Sequence, residues 1–144
     1  MWAFEVLRAK GTDVFTVRPD ATVREFLDVL AARNIGACVI STDGRTIAGI
    51  VSERDVALAL ATRGAQLLAE PVSSIGTAEV HTAGLEATLE DLMILMTQRR
   101  VRHVPIVADG ELAGIVSLGD IVKRRMDELA SERQHLVDYI ASAG

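Results

Sequence analysis

Apolar and polar positions along this chain follow two periods, and the order of those periods runs through twice. Trp2 to Ala9 predicts a short helix with Phe4, Val6 and Leu7 packed on the body, ended by Gly11. Val14-Phe-Thr-Val17 is a short β-type run closed by the turn signal Arg18-Pro19-Asp20. Thr22 then has the chemistry of a helix N-cap, and Glu25 stands three residues on, where a capping box needs it. Val23, Phe26, Leu27 and Leu30 recur at helical spacing behind them. Asn34 and Gly36 break that helix. Ala37 to Ile40 and Ile47 to Val51 predict two strands joined through Asp43-Gly44, a strong hairpin signal. Ser52 reads as the cap of a further helix through Val56, Leu58, Ala59 and Leu60 toward Gly64.

After a linker from Glu70 to Gly76, the order strand, helix, strand, strand, helix resumes with Glu79-Val-His-Thr82. Ala87-Thr88-Leu89 matches Ala21-Thr22-Val23, and Asp109-Gly110 matches Asp43-Gly44. Gly114-Ile-Val-Ser-Leu-Gly-Asp120 matches Gly49-Ile-Val-Ser-Glu-Arg-Asp55. Thr88 follows Thr22 by 66 residues but Gly114 follows Gly49 by 65, so the first repeat holds one extra residue in its hairpin, where a length change is tolerated. Boundaries follow at 1–70 for the first repeat with its N-terminal helix, 71–125 for the second and 126–144 for a C-terminal helical extension.

Two segments depart from the repeat. Leu92-Met-Ile-Leu-Met96 has no polar break, which predicts a helix buried all round, either central to the fold or covered on its second face by another subunit. The last helix, from Ser117 to about Ile140, carries Val122, Met126, Leu129, Arg133, Leu136 and Ile140 at alternating steps of four and three. That is a short heptad seam interrupted by one arginine, for docking on the body or on a partner subunit.

Composition narrows the function classes. With 144 residues, 49% of them hydrophobic and 24% charged, the chain can bury one real core or two small ones sharing an interface. The lone Cys38 lies in an apolar run, so no disulfide framework exists and a reducing compartment, the cytoplasm, is the expectation. The N-terminus lacks the basic start and apolar stretch of a signal peptide, and no run reaches the roughly 18 apolar residues of a membrane span. A net charge of −5 argues against a general DNA or RNA binder, so an anionic ligand needs a local basic cluster. The His and Cys residues show no metal-ligand spacing. Ser117, His103 and Asp120 lack the nucleophile-elbow pattern, and the first repeat has Ala37 where the second has His103; no catalytic residue is assigned.

The repeated motif has two readings. Ser-x-x-Asp after a strand is a near relative of the capping box. It also brings a serine hydroxyl to a helix N-terminus, where free backbone N–H groups favour an anion, with a carboxylate one turn in that suits a pair of ribose-like hydroxyls. Gly114 would let another backbone pass close to the strand.

Thr-Val-x-Pro-Asp-Ala-Thr-Val at the start, Arg102-His-Val-Pro-Ile-Val107 in the middle and Gly-Ile-Val-Ser-x-x-Asp at the end together resemble the cystathionine-β-synthase-type (CBS) domain, and two in tandem resemble a Bateman module. The resemblance covers Val14 to roughly Arg125. It implies an α/β fold of two β-α-β-β-α units packed through their sheets with pseudo-two-fold symmetry, followed by the long C-terminal helix. It implies a regulatory module with two clefts for adenine nucleotides, AMP, ADP or ATP, with NAD or S-adenosylmethionine in some members. Carried over by residue, one cleft takes Ser117 and Asp120 with Thr16, Val17, Arg102, His103, Val104 and Pro105. The other takes Ser52, Arg54 and Asp55 with Thr82, Gly36, Ala37 and Cys38. Because Arg102 and His103 have no counterpart in Gly36 and Ala37, the Asp120 cleft is expected to bind more tightly. Acting in trans, such a sensor pairs as a homodimer through Leu92 to Met96 and the C-terminal helix and can address a further protein target. The alternative is a dimerisation module whose clefts are empty.

Overall fold

The repeat in the sequence becomes a repeat in space. The computed structural model describes residues 1–11 and 14–143. Helix α1 (Ala3–Lys10) precedes β1 (Thr16–Val17), α2 (Val23–Arg33), β2 (Ala37–Ile40), β3 (Gly49–Ser52) and α3 (Glu53–Arg63). Two 3-10 turns, Gly64–Ala69 and Val72–Ser74, lead to β4 (Ala83–Gly84), α4 (Leu89–Arg99), β5 (His103–Ala108), β6 (Glu111–Ser117) and α5 (Leu118–Ala143). Each repeat makes a three-stranded sheet, β1-β2-β3 and β4-β5-β6, whose first pair is parallel and second antiparallel.

Local chemistry accounts for most of the boundaries. Thr22 Oγ1 accepts from the Glu25 amide at 3.1 Å, but Glu25 returns no bond, so half of the expected capping box forms. Thr88 and Asp91 form the complete box, with bonds of 2.9 and 3.0 Å. Asn34 and Arg100 end α2 and α4 in the left-handed conformation, at φ 53° and 54°. Asp109 and Gly110 both have positive φ, 52° and 77°, which is the tight two-residue turn an Asp-Gly step favours. The first hairpin is looser. Ile40 pairs with Gly49, and the Asp43 carboxylate gathers the Arg45 and Thr46 amides at 2.8 and 2.7 Å between them. Those backbone donors hold Asp43 well below the usual carboxylate range. Ile47 therefore lies in the loop rather than in a strand, and the expected strand over Glu79 to Thr82 forms later, at Ala83–Gly84.

The packing is exchanged between repeats. Ala3, Val6 and Leu7 of α1 join the core of the second repeat, beside Leu92, Val104, Val116 and Ile121. Sequence order assigns α1 to the first repeat; its buried face belongs to the second. Phe4, expected inside, is exposed, with Arg8 over its ring at 5.7 Å. In the same way Leu67 and Val72 fill the core of the first repeat, beside Phe26, Leu30 and Val51, so the expected linker is packed structure. The backbone bonds repeat the exchange: Ala3 N donates to Ala87 O at 2.7 Å, and Val72 N to Ala21 O at 2.8 Å.

Glycine permits the close passes. A Cβ at Gly49 would sit 2.8 Å from the backbone oxygen of Thr77, which bonds to the outer edge of β3 through Ile50. At Gly114 what passes close is a side chain rather than the expected backbone: a Cβ there would meet Leu7 Cδ2 at 2.6 Å. At Gly84 nothing lies within 4 Å. Gly49→Ala should therefore cost about 1–3 kcal/mol of stability by overpacking against a backbone that is itself paired, whereas Gly84→Ala should shift the chemical denaturation midpoint far less. Equal midpoints for the two variants would contradict this packing.

Candidate functional site

Both Ser-x-x-Asp motifs are helix caps in fact. Ser52 N donates to Asp55 Oδ2 at 2.8 Å and Asp55 N to Ser52 Oγ at 3.3 Å. Ser117 N donates to Asp120 Oδ2 at 2.9 Å and Asp120 N to Ser117 Oγ at 3.1 Å. A cap does not exhaust either motif. In both, one carboxylate oxygen takes the serine amide, and Oδ1 has no hydrogen bond among the described residues.

The surroundings of the two aspartates differ. Beside Asp55 opens a cleft of about 670 Å³ between the repeats. From the first repeat it is walled by Gly36, Ala37, Ile50, Ser52 and Glu53 to Asp55, and from the segment before β4 by Thr77 and Glu79 to His81. The second repeat adds Met96, Thr97, Arg100 to His103 and Leu118. Three arginines, Arg54, Arg100 and Arg102, thus border one opening on a chain of net charge −5. Glu53, Asp55 and Glu79 line the same cleft and balance them, so the cleft is not a diffuse basic field.

Asp120 is engaged from another direction. Lys10, at the end of α1, donates to Asp120 Oδ2 at 2.6 Å and to the Ile115 carbonyl at 2.9 Å. Burial raises the Asp120 pKa, but the Lys10 bond, the Ser117 amide and the Lys10 charge together outweigh it, so its carboxyl titrates below the ordinary value. Lys10 and Asp120 lie 110 residues apart, and no local pattern announces the pair.

Other expected site residues are dispersed. Arg102 and His103, assigned from sequence to the Asp120 cleft, line the Asp55 cleft; with Ser117 they also border a second, more open groove of about 760 Å³. The cations on which the expected advantage of Asp120 rested are therefore shared with the Asp55 cleft. Val17, Cys38 and Val104 are buried in the cores and Pro105 is buried on β5; none of the four walls the Asp55 cleft, and Thr16 pairs with Val39 on the sheet. Thr82 is exposed ahead of β4, and Glu79, Val80 and His81 do the lining in its place. Burial pushes the Cys38 thiol up to about 11, which makes it a poor nucleophile. Arg100 was legible only as the partner of Asn34 in the repeat, a helix end without glycine.

His103 sits where the repeats meet: a Cβ on Gly36 would lie 3.6 Å from its Nε2 and 3.3 Å from Glu53 Oε1. Burial lowers its pKa most, Lys10 and Arg102 add to that, and Glu53 and Asp120 oppose it, with a lowered value the outcome. Among the described residues no group of three His, Cys, Asp or Glu side chains gathers as a metal site. No helix among them is long and apolar enough to cross a membrane.

Comparison with known proteins points the same way as the geometry. The CBS domain family model matches residues 9–62 and again 72–127. The CBS domain-containing protein YhcV of Bacillus subtilis is 34% identical over 115 residues, spanning 80% of this chain and 81% of YhcV. The crystal structure of the CBS-domain containing protein ATU1752 from Agrobacterium tumefaciens superposes with a TM-score of 0.83 at 42% identity, over 87% of this chain and 99% of that one. The CBS domain pair of MJ0100, a complex with 5′-methylthioadenosine and S-adenosylmethionine, shares the fold at TM-score 0.79 and 23% identity, over 89% of this chain and 98% of its own.

A depressed histidine pKa has a defined consequence for stability. Neutral His103 contributes fully above its ordinary value of 6.5; as the pH falls from there through its lowered folded value, the unfolded chain takes up the proton first and stability drains away. The denaturation midpoint should fall with pH over that window, and His103→Gln should flatten the fall. An unchanged slope in the variant would remove His103 from this role.

Proposed function

We propose that this chain, which belongs to the CBS-domain family and carries two CBS domains in tandem, is a non-catalytic regulatory module that binds an adenine nucleotide in the Asp55 cleft. One observation carries the reading: Asp55 and three arginines border a single cleft formed by both repeats. Asp55 Oδ1 is the acceptor for ribose hydroxyls. Arg54, Arg100 and Arg102 supply charge-assisted bonds to phosphate, and the Ser52 hydroxyl and the N-terminus of α3 add to the anion site. Gly36, Ala37 and Ile50 offer the apolar wall for a base. AMP, ADP and ATP fit this chemistry. MJ0100, which binds 5′-methylthioadenosine and S-adenosylmethionine, supports the adenosine part of the reading without selecting the nucleotide.

Asp120 is the weaker second position, because a ligand there must compete with Lys10. A reducing compartment such as the cytoplasm belongs to the same reading, supported by the lone buried Cys38. So does action in trans on a partner protein, together with a homodimer. On α4 Leu89, Leu92 and Met96 are buried while Ile94 is 47% exposed, so the helix is not buried all round and keeps an apolar residue outward for a second copy. Exposed apolar faces on α4 and α5 also favour the second reading, an interaction module with empty clefts.

Calorimetric titration with AMP and ATP separates the two. The nucleotide reading expects saturable binding near one site per chain, weakened at least tenfold, about 1.4 kcal/mol, by Asp55→Ala and retained in Asp120→Ala. Lys10→Ala should raise the stoichiometry toward two. No heat with either nucleotide and no thermal shift in their presence would leave the interaction module as the function.

A further inference from the structure

The C-terminal helix leaves the body unfinished. Of α5 only Ile121 is buried. Met1 reaches Glu128 through its amino group at 3.4 Å and Lys10 holds Asp120, so α1 lies antiparallel along the first half of α5 and fastens it at both points. Beyond Glu128 every described residue is exposed, Leu129 to Ala143, which is about 22 Å of helix at 1.5 Å per residue. An unsupported helix of that length is marginal in water. Its apolar residues do not face α1 or the sheet: Val122 is 50% exposed, Met126 65%, Leu129 48%, Leu136 63% and Ile140 68%.

We infer that α5 pairs antiparallel with α5 of a second copy of this chain, centred on Ser131. The seam is its own complement in that direction. Turned about Ser131, Val122 faces Ile140 of the other copy, Met126 faces Leu136, and Leu129 faces Arg133, so every position meets another seam position. The arginine decides the orientation. Parallel pairing in register would set Arg133 against Arg133 within the seam, two like charges stripped of water. Antiparallel pairing sets Arg133 over Leu129 with Glu132 of the other copy beside it.

The body also has a place for the incoming helix. Val122 and Met126 form one wall of the groove of about 760 Å³, and Gly36, Glu53, Arg102 and His103 form the other. The last turns of the other copy's α5, bearing Leu136 and Ile140, fall on that wall. The groove shares Gly36, Glu53, Arg102, His103 and Leu118 with the Asp55 cleft. The paired helix therefore covers the outer side of the residues proposed to hold nucleotide. The inference rests on the homodimer part of the proposed function and fixes its geometry; nucleotide binding is not required for it.

Engineered cysteines read the register directly, since the native Cys38 is buried and does not compete. Met126→Cys combined with Leu136→Cys should give a covalent dimer under mild oxidation of the full-length chain, while Met126→Cys alone should not. In the wild type, amides from Leu129 to Ile140 should exchange slowly, and Leu136→Glu with Ile140→Glu should release them without altering protection of β2 and β5. Crosslinking of Met126→Cys alone would show a parallel seam and overturn the inference. A wild-type dimer in sedimentation equilibrium whose double-cysteine variant stays uncrosslinked would overturn it while sparing the homodimer. A monomeric wild type would overturn both.

Discussion

The fold depends on an exchange of covering segments between two small sheets. Each sheet has only three strands, and neither repeat supplies enough of its own chain to close its core. The second repeat borrows Ala3, Val6 and Leu7 from the start of the chain, and the first borrows Leu67 and Val72 from the segment between the repeats. The same segments shield exposed strand edges, with Thr77 bonded to β3 and α1 set against β6. Two marginal units become one structure because each holds part of the other. The glycines of the two Gly-Ile-Val-Ser motifs lie where these segments pass, so one short motif serves core closure, helix capping and the cleft.

The exchange also creates the difference between the two clefts. The segment that closes the first sheet continues through Glu79, Val80 and His81 into the wall of the Asp55 cleft. The segment that closes the second ends in Lys10, which settles on Asp120. Pseudo-symmetry thus governs the backbone and not the chemistry: equivalent aspartates, capped alike by equivalent serines, face an open cleft in one case and an ammonium group in the other. His103 lies between these environments and responds to both, through Lys10 and Asp120 on one side and Glu53 on the other.

Much of this was legible in the sequence where the determinants are local. The two repeats, the capping residues Thr22, Ser52 and Thr88, the tight Asp109-Gly110 turn, the one-residue difference between the hairpins and the long last helix all follow from neighbouring residues. What stayed hidden depends on distant contacts. That α1 belongs to the second core, that Lys10 meets Asp120, and that Arg102 and His103 open toward Asp55 are consequences of crossing chain segments, which periodicity does not encode. Cys38 and Val104 illustrate the same limit from inside: the resemblance put them at the ligand, while their apolar strand positions put them in the core. Ile94 shows that a helix apolar on every side need not be buried on every side within one chain.

The central claim is that ligand enters beside Asp55, where the exchanged segments leave a shared opening. Backbone amide shifts of an isotope-labelled sample titrated with AMP test it most directly. The account predicts saturable changes concentrated at Gly36, Ala37, Ser52 to Asp55, Val80, His81 and Arg100 to His103, with Lys10 and Asp120 moving little at one equivalent. Changes centred on Lys10 and Ser117 to Asp120, with the amides around Asp55 still, would contradict it.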